Sequence, residues 1–307
     1  MRVDDDPFLA IEEVARLRGR LRRTDLVAAG LADREIAGAL RAGRLVRVRR
    51  DAYRVAEPGD RHADLRLLAR AALEDGAILG GPAALLVHDL PLFGRPTTVH
   101  VCATSRGGRG ARAVRARIAR PPDSQLAEHE GRLVSGVARA VLDTARLDGL
   151  VAGVVAADAA LRRGATTPAE LAGVAATMAG LAGVVRARLC CDLADARSES
   201  PGESWSAVVL HRHGLPRPER QEVFRDARGF VARADFWWPG RRVVGQFDGR
   251  VKYGRANPTG RPPEDVLWAE KLREDRLRAL GPVVARWTTA DLRAPGPWIA
   301  RLRGLLA

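Results

Sequence analysis

Apolar residues recur at helical spacing from the start of the chain: Phe8, Leu9, Ile11, Val14, Ala15 and Leu17 predict a first helix. Thr24 is a candidate N-cap for a short helix that Gly30 stops, and Asp33 for a second over 34–42, with Ile36, Ala39 and Leu40 inward and Gly43 at its end. LVRV and AYRV then alternate around Arg49, Arg50 and Asp51, which predicts a hairpin. Helix, helix, turn, helix and two-stranded wing is the order of a winged helix-turn-helix. In that arrangement 34–42 is the recognition helix, with Arg34 and Arg41 outward and Arg47, Arg49 and Arg50 on the wing.

Between 61 and 150 the pattern is mixed. HADLRLLARAALE is amphipathic at helical period, GAILGGPAALLVHDLPLF reads as a strand or turn and then a helix broken at Pro91, and TTVHVCA alternates like a strand. GRLVSGVARAVLDTARLDG reads as a strand followed by a helix. Residues 151–196 read as alanine-rich helices, one of them started by Thr167, Pro168 and Glu170. DLADARSESPGES is a polar junction. Beyond it the pattern predicts a helix over 201–213, strands at 219–226, 230–238 and 242–248, a helix over 264–280, the strand VVARWT and a terminal helix. The expected organisation is therefore an α/β multidomain chain: a winged helix over 1–60, an α/β then helical middle over 61–196, and a mixed sheet flanked by helices over 197–307.

Composition sharpens the last boundary. All six tryptophans, at 205, 237, 238, 268, 287 and 298, follow it. The net charge is +14, and 21 basic against 13 acidic residues put +8 of it in 197–307. Such an excess points to a polyanion, most simply nucleic acid, without distinguishing DNA from RNA; the plainer reading is an arginine-rich proteome that inflates the charge. Six arginines and no acid between 105 and 122 could follow phosphates or form a surface loop. No apolar run approaches the ~20 residues of a membrane span. The acidic start MRVDDDPFLA lacks the basic and apolar regions of a signal peptide, so a cytoplasmic protein with no membrane partner is expected. Cys102, Cys190 and Cys191 have no zinc spacing and read as reduced thiols.

Only Lys252 and Lys271 among the 51 basic residues are lysine. In RVVGQFDGRVKYG, Gln246 and Asp248 lie two apart in a strand and share a face, with Lys252 four residues beyond. A hairpin through Pro239 and Gly240 would bring Asp235 to the same edge, and Glu203 on the preceding helix would reach in from the side. Each has a plainer reading: a turn at Asp248 and Gly249, helix-start chemistry for Glu203, a solvated charge for Lys252. Asp235 is harder to dismiss, because it interrupts an apolar strand and an unpaired buried carboxylate is costly. Together these are the parts of a magnesium site that cuts phosphodiesters: oxygen ligands for a hard cation, and an amine to orient or deprotonate water.

Glu203 on a helix, then RADFWWP, VVGQFDGRVKYG and EKLREDRLRALGPVVARWTTADL, resembles the PD-(D/E)xK nuclease superfamily over about 198–293. Within it, the pattern is most similar to the branch of very-short-patch-repair-like endonucleases and domain-of-unknown-function family 559. The resemblance implies a restriction-endonuclease-like sheet, a Mg²⁺ or Mn²⁺ cofactor, and roles for Glu203, Asp235 and Asp248 as metal-coordinating or catalytic acids and for Lys252 as the catalytic lysine. That pattern most often has glutamate where this chain has Gln246, which keeps an oxygen ligand but removes one negative charge. RTDLVAAGLADREIAGALRAGRLVRVRRDAYRV is similar to the winged-helix domain of AbiEi-type antitoxins, and GPAALLVHDLPLFG and RLVSGVARAVLDTAR to the domain that follows it, which implies DNA binding and autoregulation. The expected function is a metal-dependent DNA endonuclease or nickase, with Trp205 the best candidate to stack on bases. The alternative is an antitoxin-like DNA-binding regulator with an inactive nuclease fold. A homodimer is open, as is a toxin partner under the second reading.

Overall fold

The structure, a computed structural model, describes residues 21–49, 51–56, 62–102, 115–249 and 263–307; the side chains of 49, 52, 115–117 and 263–270 lie outside that description. The chain divides into two compact units, 1–148 and 149–307.

The first unit begins, among the described residues, with α1 (Arg23–Ala28), α2 (Asp33–Arg41) and the antiparallel pair β1 (Leu45–Arg49) and β2 (Ala52–Val55). Leu21, Leu26, Leu31, Ile36, Ala39, Leu45 and Tyr53 close a small core beneath them. The helix starts differ from expectation. Asp25 accepts the Arg22 amide at 2.6 Å and Glu35 accepts the Ala32 amide at 2.7 Å, so Arg22 and Ala32 are the cap positions. Thr24 and Asp33 fall inside their helices, and Asp33 instead pairs with Arg23. The stops are as expected: Gly30 and Gly43 take φ of 90° and 68°, a region open to glycine. Asp51, in the hairpin turn, accepts the Arg23 amide at 2.9 Å and ties the turn to the start of α1. The helix expected over Phe8 to Leu17 lies outside the described residues.

The rest of this unit comprises α3 (Ala63–Glu74), β3 (Leu79–Gly80), α4 (Gly81–Val87), β4 (Val99–Cys102), β5 (Arg115–Ile118), β6 (Leu126–His129), β7 (Arg132–Ser135) and α5 (Val137–Leu147). The strands form one mixed sheet in the order β5-β4-β3-β7-β6. Asp143 on α5 is fully buried and pairs with two buried guanidinium groups, Arg139 at 2.9 Å and Arg146 at 2.6 Å, so its own charge is compensated.

In the second unit, α6 (Leu150–Arg162), α7 (Pro168–Thr177) and α8 (Val184–Leu193) precede α9 (Pro201–Arg212), β8 (Glu219–Asp226), β9 (Gly229–Trp238), β10 (Val243–Asp248), α10 (Pro263–Ala279), β11 (Val283–Thr288), α11 (Thr289–Arg293) and α12 (Gly296–Leu306). Thr167 caps α7 by accepting the Glu170 amide at 3.1 Å. The sheet order is β11-β10-β9-β8, with β10 and β11 parallel and the other pairs antiparallel. One face carries Phe236, Trp238, Val243, Ala285 and Trp287 against α9 and α12. The other meets α10 through Val231, Val244 and Leu277. Trp287 stacks on Trp298 with ring centroids 4.8 Å apart and donates to Ser206 Oγ at 2.7 Å.

The units divide at 148/149, whereas composition suggested a junction at 196/197. The physical reason is a polar anchor. Asp158 on α6 accepts Ser204 Oγ at 2.7 Å and the Asp195 amide at 2.8 Å, which locks the alanine-rich helices under α9. No helix among the described residues is long and apolar enough to cross a membrane.

Candidate functional site

β9 and β10 pair antiparallel with Val244 opposite Trp237 and Gly245 opposite Phe236, so the next residues outward are Asp235 on β9 and Gln246 on β10. Alternation puts Asp235, Gln246 and Asp248 on the face that carries Val244 and meets α10. Opposite Gln246 in the parallel β10–β11 pair stands Arg286. These side chains line a cavity of about 490 Å³ together with Glu199, Val223, Arg225, Phe230, Arg233, Arg273 and Glu274.

The cavity's charges sort themselves by ion pairing. Glu199 holds Arg233 at 2.5 Å, and Glu274 holds Arg286 at 2.8 Å and Arg278 at 2.5 Å. Asp235 accepts the Phe247 amide through Oδ2 at 2.8 Å, which fixes the backbone between Gln246 and Asp248. Among the described residues the side chains of Gln246, Asp248, Arg225 and Arg273 have no hydrogen-bond or ion-pair partner. The cavity thus joins carboxylate and amide oxygens to two uncommitted guanidinium groups. Oxygen donors of this kind suit Mg²⁺ or Mn²⁺. Among the described residues no three His, Cys, Asp or Glu side chains converge to hold a metal.

Glu203 is not part of this constellation. It lies on α9, which packs on the opposite face of the sheet, and it is buried. Its Oε1 accepts Ser200 Oγ at 2.6 Å, and its Oε2 accepts the Glu199 amide and Gln221 Nε2, both at 2.9 Å. The carboxylate closes the start of α9 and holds Glu199, four residues earlier, in place. Gln221, its third donor, sits in β8 at φ 57°, a left-handed conformation that costs a non-glycine residue energy and marks a constrained site. Sequence reasoning overlooked Glu199. The signal for it is the spacing Glu199-x-x-x-Glu203 across the helix start, where one acid caps and the other is displayed.

Lys252 lies outside the described residues. Trp205 is partly buried and packs against the core on the far face, so it is not displayed in the cavity. Trp238, Trp287 and Trp298 are core residues and Trp237 packs under α10; the side chain of Trp268 lies outside the description. Arg34, Arg41 and Arg47 are exposed on α2 and β1. Arg49 ends β1 opposite Ala52.

Behind the sheet a second polar cluster is closed to water. Burial pushes the Asp158 carboxyl up to about 6 despite its hydrogen bonds. Burial likewise lowers the Arg220 guanidinium, which lies 4.7 Å above the Phe236 ring and donates to Ser198 Oγ at 2.9 Å. This cluster holds β8 and α6 on α9 and reaches no part of the cavity lining.

No family model matches the chain. Two Mycobacterium tuberculosis proteins, uncharacterized protein MT2308 of strain CDC 1551 and uncharacterized protein Rv2248 of strain H37Rv, are each 30% identical to it over 263 residues, 85% of this chain and 92% of the relative. Among solved structures, the crystal structure of the RV2827C protein from Mycobacterium tuberculosis aligns over 71% of this chain and 87% of its own, at 16% identity and a TM-score of 0.37.

Proposed function

This chain belongs to the same family as MT2308 and Rv2248, and we propose that it is a DNA-binding, divalent-metal-dependent endonuclease or nickase. Its C-terminal sheet is the PD-(D/E)xK-like catalytic part, and its N-terminal helices and hairpin are a winged helix that places it on DNA. One observation carries the reading: Asp235, Gln246 and Asp248 come from two neighbouring strands onto one cavity, beside arginines without described partners.

The two aspartates and the Gln246 amide oxygen would hold the metal. When bound, Mg²⁺ or Mn²⁺ supplies charge neutralisation and a water of lowered pKa. Arg225 and Arg273 neutralise and orient the phosphodiester, and Arg286 is held beside Gln246 by Glu274. Asp235 keeps the end of β10 in register through the Phe247 amide. Lys252 is the proposed group that orients the attacking water. Glu203 has no ligand role here and is a positioning residue for Glu199.

A second reading, a DNA-binding regulator of antitoxin type whose nuclease fold does not cut, is favoured by the donor set. It has two acids and an amide in place of three acids. Incubating supercoiled and single-stranded DNA with the protein in Mg²⁺, Mn²⁺ or EDTA, alongside Asp235→Ala, separates the two. Metal-dependent nicking lost in the variant supports the enzyme. Binding of DNA with no more product than the variant gives, in either metal, supports the regulator.

A further inference from the structure

We propose that the cavity receives an unpaired nucleotide, whose base stacks on Phe230 while Arg225 and Arg273 hold its phosphates, so that the preferred substrate is single-stranded or locally unpaired DNA. This rests on the reading of the cavity as a phosphodiester site and adds the form of DNA it accepts.

Phe230 is 53% exposed and Val223 42%, and both line the same cavity as the two aspartates. Phe230 and Asp235 are five positions apart, so plain alternation would put them on opposite faces. A one-residue register shift intervenes: Phe224 pairs with Ala232, but Arg225 pairs with Phe230, which leaves Val231 as an extra residue in β9. Such bulges turn a side chain toward the other face and are common beside active sites. Here the shift returns Phe230 to the cavity side and sets it directly across from Arg225, so an aromatic ring and a guanidinium form one wall.

A duplex presents chiefly phosphates and sugars to a site of this kind and would leave the ring and Val223 uncovered. An unstacked base covers them, since every base has a face that stacks on an aromatic ring. The cavity has the volume of a small-ligand pocket rather than of a groove that embraces a helix. Arg225, opposite Phe230 in the sheet, and Arg273 line the same cavity without partners among the described residues, and supply cations for the phosphates adjoining a stacked base.

The test is binding of a labelled oligothymidine and of a blunt duplex of equal length, measured in EDTA so that cleavage plays no part. Phe230→Ala is expected to weaken the single strand by roughly 5- to 100-fold and the duplex by less than about 2-fold, while Phe230→Trp retains the wild-type preference. Because Phe230 is half exposed, the variants should unfold at the wild-type temperature, and the tryptophan variant guards against a merely structural effect. Equal weakening of both probes, or unchanged single-strand binding in Phe230→Ala, overturns the proposal. Selective binding that depends on Phe230 in a protein that cuts nothing in Mg²⁺ or Mn²⁺ upholds the stacking site and removes the nuclease reading, so the two fail separately.

Discussion

Asp235 accepts the backbone amide of Phe247 at 2.8 Å, and Phe247 is the residue between Gln246 and Asp248. One carboxylate therefore fixes the backbone between both its neighbours in the cavity. Asparagine preserves the acceptor and alanine does not. Asp235→Ala is expected to lose about 1–2 kcal/mol of stability through the orphaned amide, and Asp235→Asn much less, in denaturant unfolding. Both should lose DNA cleavage by on the order of 100-fold or more. A cleavage-competent Asp235→Asn would reduce Asp235 to its structural bond.

Glu203 makes the opposite prediction. Its carboxylate is buried and takes three donors. Glu203→Ala should cost about 1–3 kcal/mol. Glu203→Gln, which keeps one oxygen acceptor, should retain measurable cleavage. Thermal melts and nicking rates on the two variants distinguish a positioning residue from a metal ligand, since a ligand would lose activity in both.

Asp158 gives the second unit a pH signature. Burial raises its folded pKa to about 6, above the 3.8 of an ordinary aspartate, so the folded state binds the proton more tightly than the unfolded chain. The resulting stabilisation is complete below about pH 3.8 and is lost as the pH rises to about 6, with a total of roughly 3 kcal/mol. In Asp158→Asn this contribution disappears. The difference in unfolding free energy between variant and wild type should therefore change across pH 4–6 and be flat above it. A pH-independent difference would show that Asp158 does not titrate in that window.

Arg34 and Arg41 are exposed on α2 and serve no described structural bond. Replacing both with alanine should weaken DNA binding and reduce the slope of log K against log salt by roughly 1 to 2, one phosphate contact each. An unchanged slope would place the DNA elsewhere.

The element order was largely legible because apolar periodicity and glycine stops dominate these segments. β8, β9, β10 and β11 stand where their alternation places them, and Gln246 and Asp248 share the face that a period of two requires. Three features were not legible, each for a physical reason. The helix starts at Arg22 and Ala32 depend on acids three residues downstream, Asp25 and Glu35, rather than on the cap residue itself. The packing of α6 under α9 depends on Asp158, a single acid in an alanine-rich run that carries no periodic signal. Phe230 reaches the cavity through a bulge, and the alternation of the sequence does not mark the one-residue shift in register. Glu203 poses a related problem: a helix-start acid and a ligand are the same residue type, and only the fold shows this one buried with three hydrogen-bond donors.

The central claim is that Asp235, Gln246 and Asp248, without Glu203, hold a divalent ion. Calorimetric titration of Mn²⁺ into wild type, Asp248→Asn and Glu203→Gln tests it most directly. The account predicts one site in wild type, lost or weakened by at least about tenfold in Asp248→Asn for want of a charged oxygen ligand, and retained in Glu203→Gln. No binding in wild type, or undiminished binding in Asp248→Asn, would contradict it.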